Sequence, residues 1–189
     1  MANILDIFRT HTGNRLLRRS EELTGQKREE LLKSFQLLFP LLLGLLRSKK
    51  EIGKPKMENL TSYIEKAELL SDGSKLSVTL FSNEELNAIA NLSKIYQVDS
   101  DNFKKCIYIS TAVLSGIINS ILGKNPKATF TEVIGTIAGD SSKFDKSFVQ
   151  ILVKNSDSPN FINSSEEIAL NPESNNDDES ILGGFTGGK

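Results

Sequence analysis

Apolar residues return at spacings of three and four through most of residues 1–154, which predicts a series of amphipathic helices. Ile4, Leu5, Ile7 and Phe8 open the chain with a short helical signal. Asn14 is placed to cap a second helix after Gly13, with Leu16, Leu17 and Leu23 on its apolar side and Gly25 to stop it. A third helix starts near Lys27. Leu31, Leu32, Phe35, Leu38, Leu42, Leu45 and Leu46 follow its period, while Leu37, Phe39, Leu41 and Leu43 fill the other side. A helix apolar nearly all round belongs at the centre of a core or an interface. Pro40 lies inside this run, where it removes one backbone donor and crowds the preceding turn at about 3 kcal/mol, so a kink or tight break is expected.

Met57 to Leu70 reads as a further helix, with Leu60, Ile64, Ala67 and Leu70 on one side. Ser71-Asp72-Gly73-Ser74 has the composition of a turn, and the partly alternating Leu76–Phe81 reads as an extended linker. Ser82 and Glu85 form a capping box ahead of Leu86, Ile89, Ala90 and Leu92. Asp99 or Ser100 caps the next helix, whose buried stripe is Phe103, Ile107, Leu114, Ile117, Ile118 and Ile121, and which Gly123 and Pro126 end. Thr129 and Glu132 form another capping box before Val133, Ile134 and Ile137. Asp140 or Ser141 then begins a last helix through Phe144, Phe148, Ile151 and Leu152.

Two stretches of this pattern align without a gap at an offset of 72 residues. Leu31 falls on Phe103, Phe35 on Ile107, Leu42 on Leu114, Gly44 on Gly116, Leu45 on Ile117 and Leu46 on Ile118. The same offset places Leu23 on Ile95. The match points to an internal duplication of a helical unit, each copy centred on an apolar helix with one glycine in its face. The expected architecture is all-α, with two related helical subdomains, residues 1–72 and 73–154, and a tail, 155–189.

Composition changes this picture mainly at the two ends. Residues 1–56 hold 12 Lys/Arg against 6 Asp/Glu, and residues 155–189 hold one lysine against 7 acids, so the head is basic and the tail acidic. The tail is rich in Ser, Asn, Asp, Glu, Pro and Gly, and such a segment buries too little apolar area to offset its ordering entropy; it is expected to be flexible. Cys106 is the single cysteine, which excludes an intrachain disulfide. The N-terminus lacks the pattern of a secretory signal, and the longest apolar run, Phe35 to Leu46, is 12 residues against the ~20 of a spanning helix. A cytoplasmic protein without a membrane span is the expectation.

Candidate chemistry is sparse. Gly183-Gly184-Phe185-Thr186-Gly187-Gly188-Lys189 has the glycine and lysine spacing of a phosphate loop, but no strand precedes it and no helix follows. His11 is the single histidine, so no metal pair or Ser/His/Asp constellation can be built around it. Cys106 borders a buried stripe and reads as a small core hydrophobe. Glu21-Glu22, Glu29-Glu30 and Glu84-Glu85 suit helix turns rather than acid–base work. Arg15, Arg18 and Arg19 share one helix side and, with Arg28, are the candidate anion-binding residues; no aromatic partner lies nearby for stacking on bases. Gly44 and Gly116 lie in apolar helix faces, where glycine costs about 1 kcal/mol relative to alanine, and with Pro40 are the candidate helix-contact residues.

The pattern Leu16-Leu17, Leu23, Gly25, Leu31 and Leu38-Phe39-Pro40-Leu41-Leu42-Leu43-Gly44-Leu45-Leu46 resembles the YidB-like bacterial family (domain of unknown function 937). So do Ser115-Gly116-Ile117-Ile118 and the glycine-rich ending after Ile181-Leu182. The chain departs from the family in being poorer in alanine and glycine and in carrying Ala112 rather than a second proline. The resemblance implies an all-α bacterial protein without an established activity, and so it supplies no catalytic residues or cofactor. The leading expectation is a non-enzymatic interaction or scaffold module that binds a protein partner or a second copy. The alternative is a nucleic-acid-binding accessory protein using the basic head.

Overall fold

The computed structural model describes residues 2–153; the expectations made for the tail, 155–189, lie outside them. Among the described residues every regular element is helical. A 3-10 helix, Ile4–Arg9, precedes α1 (His11–Thr24), α2 (Arg28–Leu46), α3 (Leu60–Lys66), α4 (Leu69–Leu80), α5 (Asn83–Ile95), α6 (Ser100–Lys124), α7 (Phe130–Ala138) and α8 (Asp145–Val153).

The 3-10 helix is fixed at its start by Asn3, whose side chain accepts from the Leu5 amide at 2.9 Å. It lays Phe8 over Phe35 and Phe39 of α2, with ring centroids 6.2 and 5.7 Å apart. Thr10 then caps α1 by accepting from the Gly13 amide at 3.1 Å. α1 therefore begins three residues before the expected cap, Asn14. Gly13 is inside the helix, because a Cβ there would run into the Ile7 carbonyl. Gly25 ends α1 in the left-handed conformation, φ 73°, as expected.

α6 is the axis of the fold. It is buried on every side from Ile109 to Ile118, and α2, α3, α4, α5, α7 and α8 all pack on it. By length and composition it could cross a membrane, and 72% of its apolar stretch is buried inside the protein. α2 packs on α6, and its Leu31, Phe35, Leu38, Leu42 and Leu46 are fully or almost fully buried. Residues 47–59, between α2 and α3, are pinned to α6 at the Gly53 carbonyl, which accepts from Ser115 Oγ and, at 3.0 Å, from Asn119 Nδ2.

The stretch 71–81 departs most from expectation. The turn at Ser71–Ser74 and the extended linker at Leu76–Phe81 do not form; Ser71–Ser74 and Leu76–Leu80 lie in α4, and only its cap, Phe81, is extended. The main chain of α4 at Gly73 meets the Tyr108 carbonyl of α6, and Ser77 Oγ donates to Thr111 Oγ1 at 3.1 Å. Gly73 thus marks close helix packing, not a turn. The expected helix over Met57–Leu70 is correspondingly shorter: Asn59 caps α3, Ala67 ends it in extended geometry, and α4 starts at Leu69. A boundary at 72/73 falls within α4, and one continuous cluster of buried side chains draws on both sides of it.

The capping boxes at Ser82 and Thr129 and the cap at Asp99 form as expected. α8 begins at Asp145 rather than at Asp140 or Ser141. The amides of those two residues bond back to the Gly135 carbonyl, at 2.8 and 3.2 Å, and so complete the C-terminus of α7.

Helix starts keep the offset of 72 for the long elements: His11 and Asn83 open α1 and α5, and Arg28 and Ser100 open α2 and α6. The caps Thr10 and Ser82 are separated by the same interval. The packing is less regular than the spacing. α3 lies on α6 and its counterpart α7 on both α2 and α6, while α4 and its counterpart α8 both pack on α6.

Candidate interaction surface

α2 buries one side and presents the other. Lys33, Gln36, Pro40, Gly44 and Arg47 form its exposed stripe, flanked by the half-buried Leu37, Leu41 and Leu45. The chain stays helical through Pro40, so of the expected kink or tight break it is the break that does not occur. Proline is tolerated here because it faces outward. The carbonyl of Gln36, deprived of its donor, belongs to an exposed residue that water can reach.

The two glycines matched by the offset of 72 have different roles. At Gly116 a Cβ would lie 3.2 Å from Met57 Sδ and 3.3 Å from Leu60 Cδ1, so this glycine admits α3 and its leading segment onto α6. At Gly44 no atom lies within 4 Å of that position. Gly44 therefore makes no close helix contact among the described residues, which leaves a partner helix from outside them as the remaining form of the expected contact. It opens instead, with Pro40, onto a depression of about 420 Å³ lined also by Asn3, Ile4, Leu5, Leu43, Arg47 and Ala138.

A second depression, of about 550 Å³, lies along the N-terminal half of α2 and is closed by the α5–α6 junction. Glu30, Lys33, Ser34, Gln36 and Leu37 form its α2 wall, and Tyr96, Gln97, Val98 and Phe103 line it from the α5–α6 side. Tyr96 is 56% exposed and its neighbour Ile95 is 71% exposed. Sequence reasoning passed over this pair because Ile95, in register with Leu23, reads as a core position. The structure leaves it uncovered where the half-buried Leu23 packs against the core.

The arginine cluster forms the wall of a third depression, of about 420 Å³, lined by His11, Arg15, Arg18, Arg19, Glu22 and Glu65. Arg15 pairs with Glu65 of α3. Glu22 is shared between Arg19 at 3.0 Å and Arg18 at 3.7 Å. Arg28 is not part of this wall; its guanidinium donates to Asn14 Oδ1. The expected four-residue anion face is thus three arginines partly offset by two glutamates.

Cys106 is buried with its thiol donating to Gln26 Oε1 at 3.4 Å, and burial pushes its pKa up to about 12. A thiol held so far from ionisation is a packing group. Among the described residues no three His, Cys, Asp or Glu side chains are placed to hold a metal ion.

These features define an all-α protein with an exposed α2 face, in which half-buried leucines flank a stripe of polar residues, proline and glycine, and a separate basic depression. Comparison with protein-family models, with curated proteins and with solved structures gives no match.

Proposed function

We propose that this protein is a non-enzymatic helical interaction module that engages a second copy, or another protein, through the outer face of α2. The observation that supports it most directly is the empty space over Gly44. Glycine within a helix is unfavourable by about 1 kcal/mol, and no neighbour among the described residues uses the gap it leaves. The half-buried Leu37, Leu41 and Leu45 beside Pro40, with a depression on either side, offer the apolar relief that a partner helix fills. Similarity to the YidB-like family is part of this reading and rests on the leucine and glycine pattern of α2 and α6 alone.

Sedimentation of the full chain over about 1–100 µM, the range of weak homodimers, tests it. Dimer that is lost in Gly44→Glu supports self-association. A monomer throughout removes it and leaves a partner of different sequence, to be sought by affinity capture at low and high salt. Capture of salt-labile nucleic acid in place of salt-resistant protein supports the alternative reading of the basic head. The pairing of Arg15, Arg18 and Arg19 with Glu22 and Glu65 weighs against that alternative.

A further inference from the structure

We propose that the arginine depression of α1 is a docking site for the acidic segment 157–179 of the same chain. The argument starts from the depression. Arg15 is steered by Glu65, while Glu22 divides its charge between Arg18 and Arg19, so the wall keeps a positive excess. Arg18 is 80% exposed and so remains accessible to an incoming carboxylate. Arg19 Nε is buried and has no hydrogen-bond partner among the described residues, an unusual state for a guanidinium donor.

The second observation is where the described chain ends. α8 runs beside α1 and α3, and the Leu152 carbonyl accepts from Thr12 Oγ1. Thr12 is adjacent to His11, and Leu152 is one residue from the last described position, Val153. The described chain therefore ends at Val153 beside α1, the helix that carries the depression. Asp157 is four residues on, within about 13 Å of Val153 even when the chain is fully extended. Asp177-Asp178-Glu179 begins 24 residues on, for which a flexible chain has an end-to-end distance of roughly 25–30 Å.

The third observation is charge. Residues 155–189 carry 7 acids against Lys189 alone. Tethering presents these carboxylates to the arginines at an effective concentration of order millimolar, above that of any dilute free anion. An external polyanion must displace the chain's own acidic segment before it reaches Arg15, Arg18 and Arg19.

The test uses the full chain. With Cys106 buried and its thiol held protonated, Ser180→Cys supplies the one reactive thiol for a nitroxide label next to the acidic run. Backbone amides of α1 from Arg15 to Glu22 are expected to lose at least half their intensity at low salt. They should recover in roughly 0.5 M salt, where the Debye length is below about 5 Å. They should recover also in Arg18→Glu, a change at an exposed position that leaves the rest of the spectrum in place. Absence of broadening on α1 overturns the proposal. So does broadening that neither salt nor Arg18→Glu relieves, or broadening centred on Pro40 and Gly44. Were Arg18→Glu to disturb the fold, Asp177→Asn with Asp178→Asn and Glu179→Gln tests the same contact from the other side.

Discussion

The main chain of α4 at Gly73 lies directly against the carbonyl of Tyr108 on α6. A Cβ at residue 73 would fall far inside van der Waals contact with that carbonyl, and neither partner is a flexible side chain. Gly73→Ala must therefore push α4 off α6 along their whole line of contact. We expect a loss of at least about 2 kcal/mol, in the upper range for overpacking, measured by urea denaturation. Gly44→Ala is the contrasting change. Nothing surrounds residue 44, so alanine should be neutral or add up to about 1 kcal/mol through helix propensity.

That contrast shows what was legible in the sequence. Periodicity placed the long helices and the buried stripe of α6, because apolar spacing and caps are local properties. It could not rank the glycines, because a helix glycine reads the same whether its missing side chain faces a backbone, as at Gly73, or solvent, as at Gly44. Leu69, Gly73, Leu76 and Leu80 do share a helical spacing, and that was the available signal for α4. Turn composition at Ser71–Ser74 masked it. The exposed pair Ile95 and Tyr96 was illegible for another reason: burial there depends on which element arrives from elsewhere, and none of the described elements does. The arginine cluster was legible as a face of α1, but the pairing of Arg15 with Glu65 comes from α3, 50 residues on.

Two carboxylates give opposite responses to pH. Glu132 accepts from Lys143 and from the Thr129 amide and hydroxyl, which hold its pKa down from 4.5 to about 2. A depressed carboxylate contributes stability that is complete above the unfolded value and is lost as pH falls from about 4.5 through about 2. Glu132→Gln should lower the melting temperature at neutral pH and flatten that acid-side loss. A melting curve against pH that is unchanged in Glu132→Gln would show the box and ion pair to be without weight.

Asp145 behaves in the other sense. Burial raises its pKa above the ordinary 3.8, partly countered by the Ala2 amide donating to Oδ2 at 3.3 Å, and Oδ1 is buried without a partner. A raised carboxylate favours the folded state while protonated, and that contribution is lost as pH rises from about 3.8 through the folded value. Asp145→Asn keeps an acceptor for Ala2 and removes the charge, so its melting temperature should exceed that of the parent at neutral pH. The gap should narrow as the pH is lowered towards 4. A variant less stable at neutral pH would mean that the ionised form is the one the fold needs.

The last prediction concerns the offset of 72 that relates the two halves. Gly25 leaves α1 at φ 73°, and Gln97, 72 residues on, leaves the α5 region at φ 54°. Gln97 is the one non-glycine residue of positive φ among the described residues. A side chain in this conformation carries a strain of about 1 kcal/mol or more, and nothing in local propensity selects glutamine there. The end of α5 thus repeats the left-handed backbone of the end of α1, with glutamine where α1 has glycine, as the proposed duplication of a helical unit would leave it. Gln97→Gly should then stabilise the protein by about 0.5–1 kcal/mol, strain relief being partly offset by the greater freedom of glycine in the unfolded chain. Gly25→Ala should destabilise by about 1 kcal/mol at the equivalent place. Equilibrium urea unfolding of the two variants decides the matter. If Gln97→Gly is destabilising instead, the Gln97 side chain contributes more in its depression than its backbone strain removes, and the two helix ends are alike in geometry without sharing an origin.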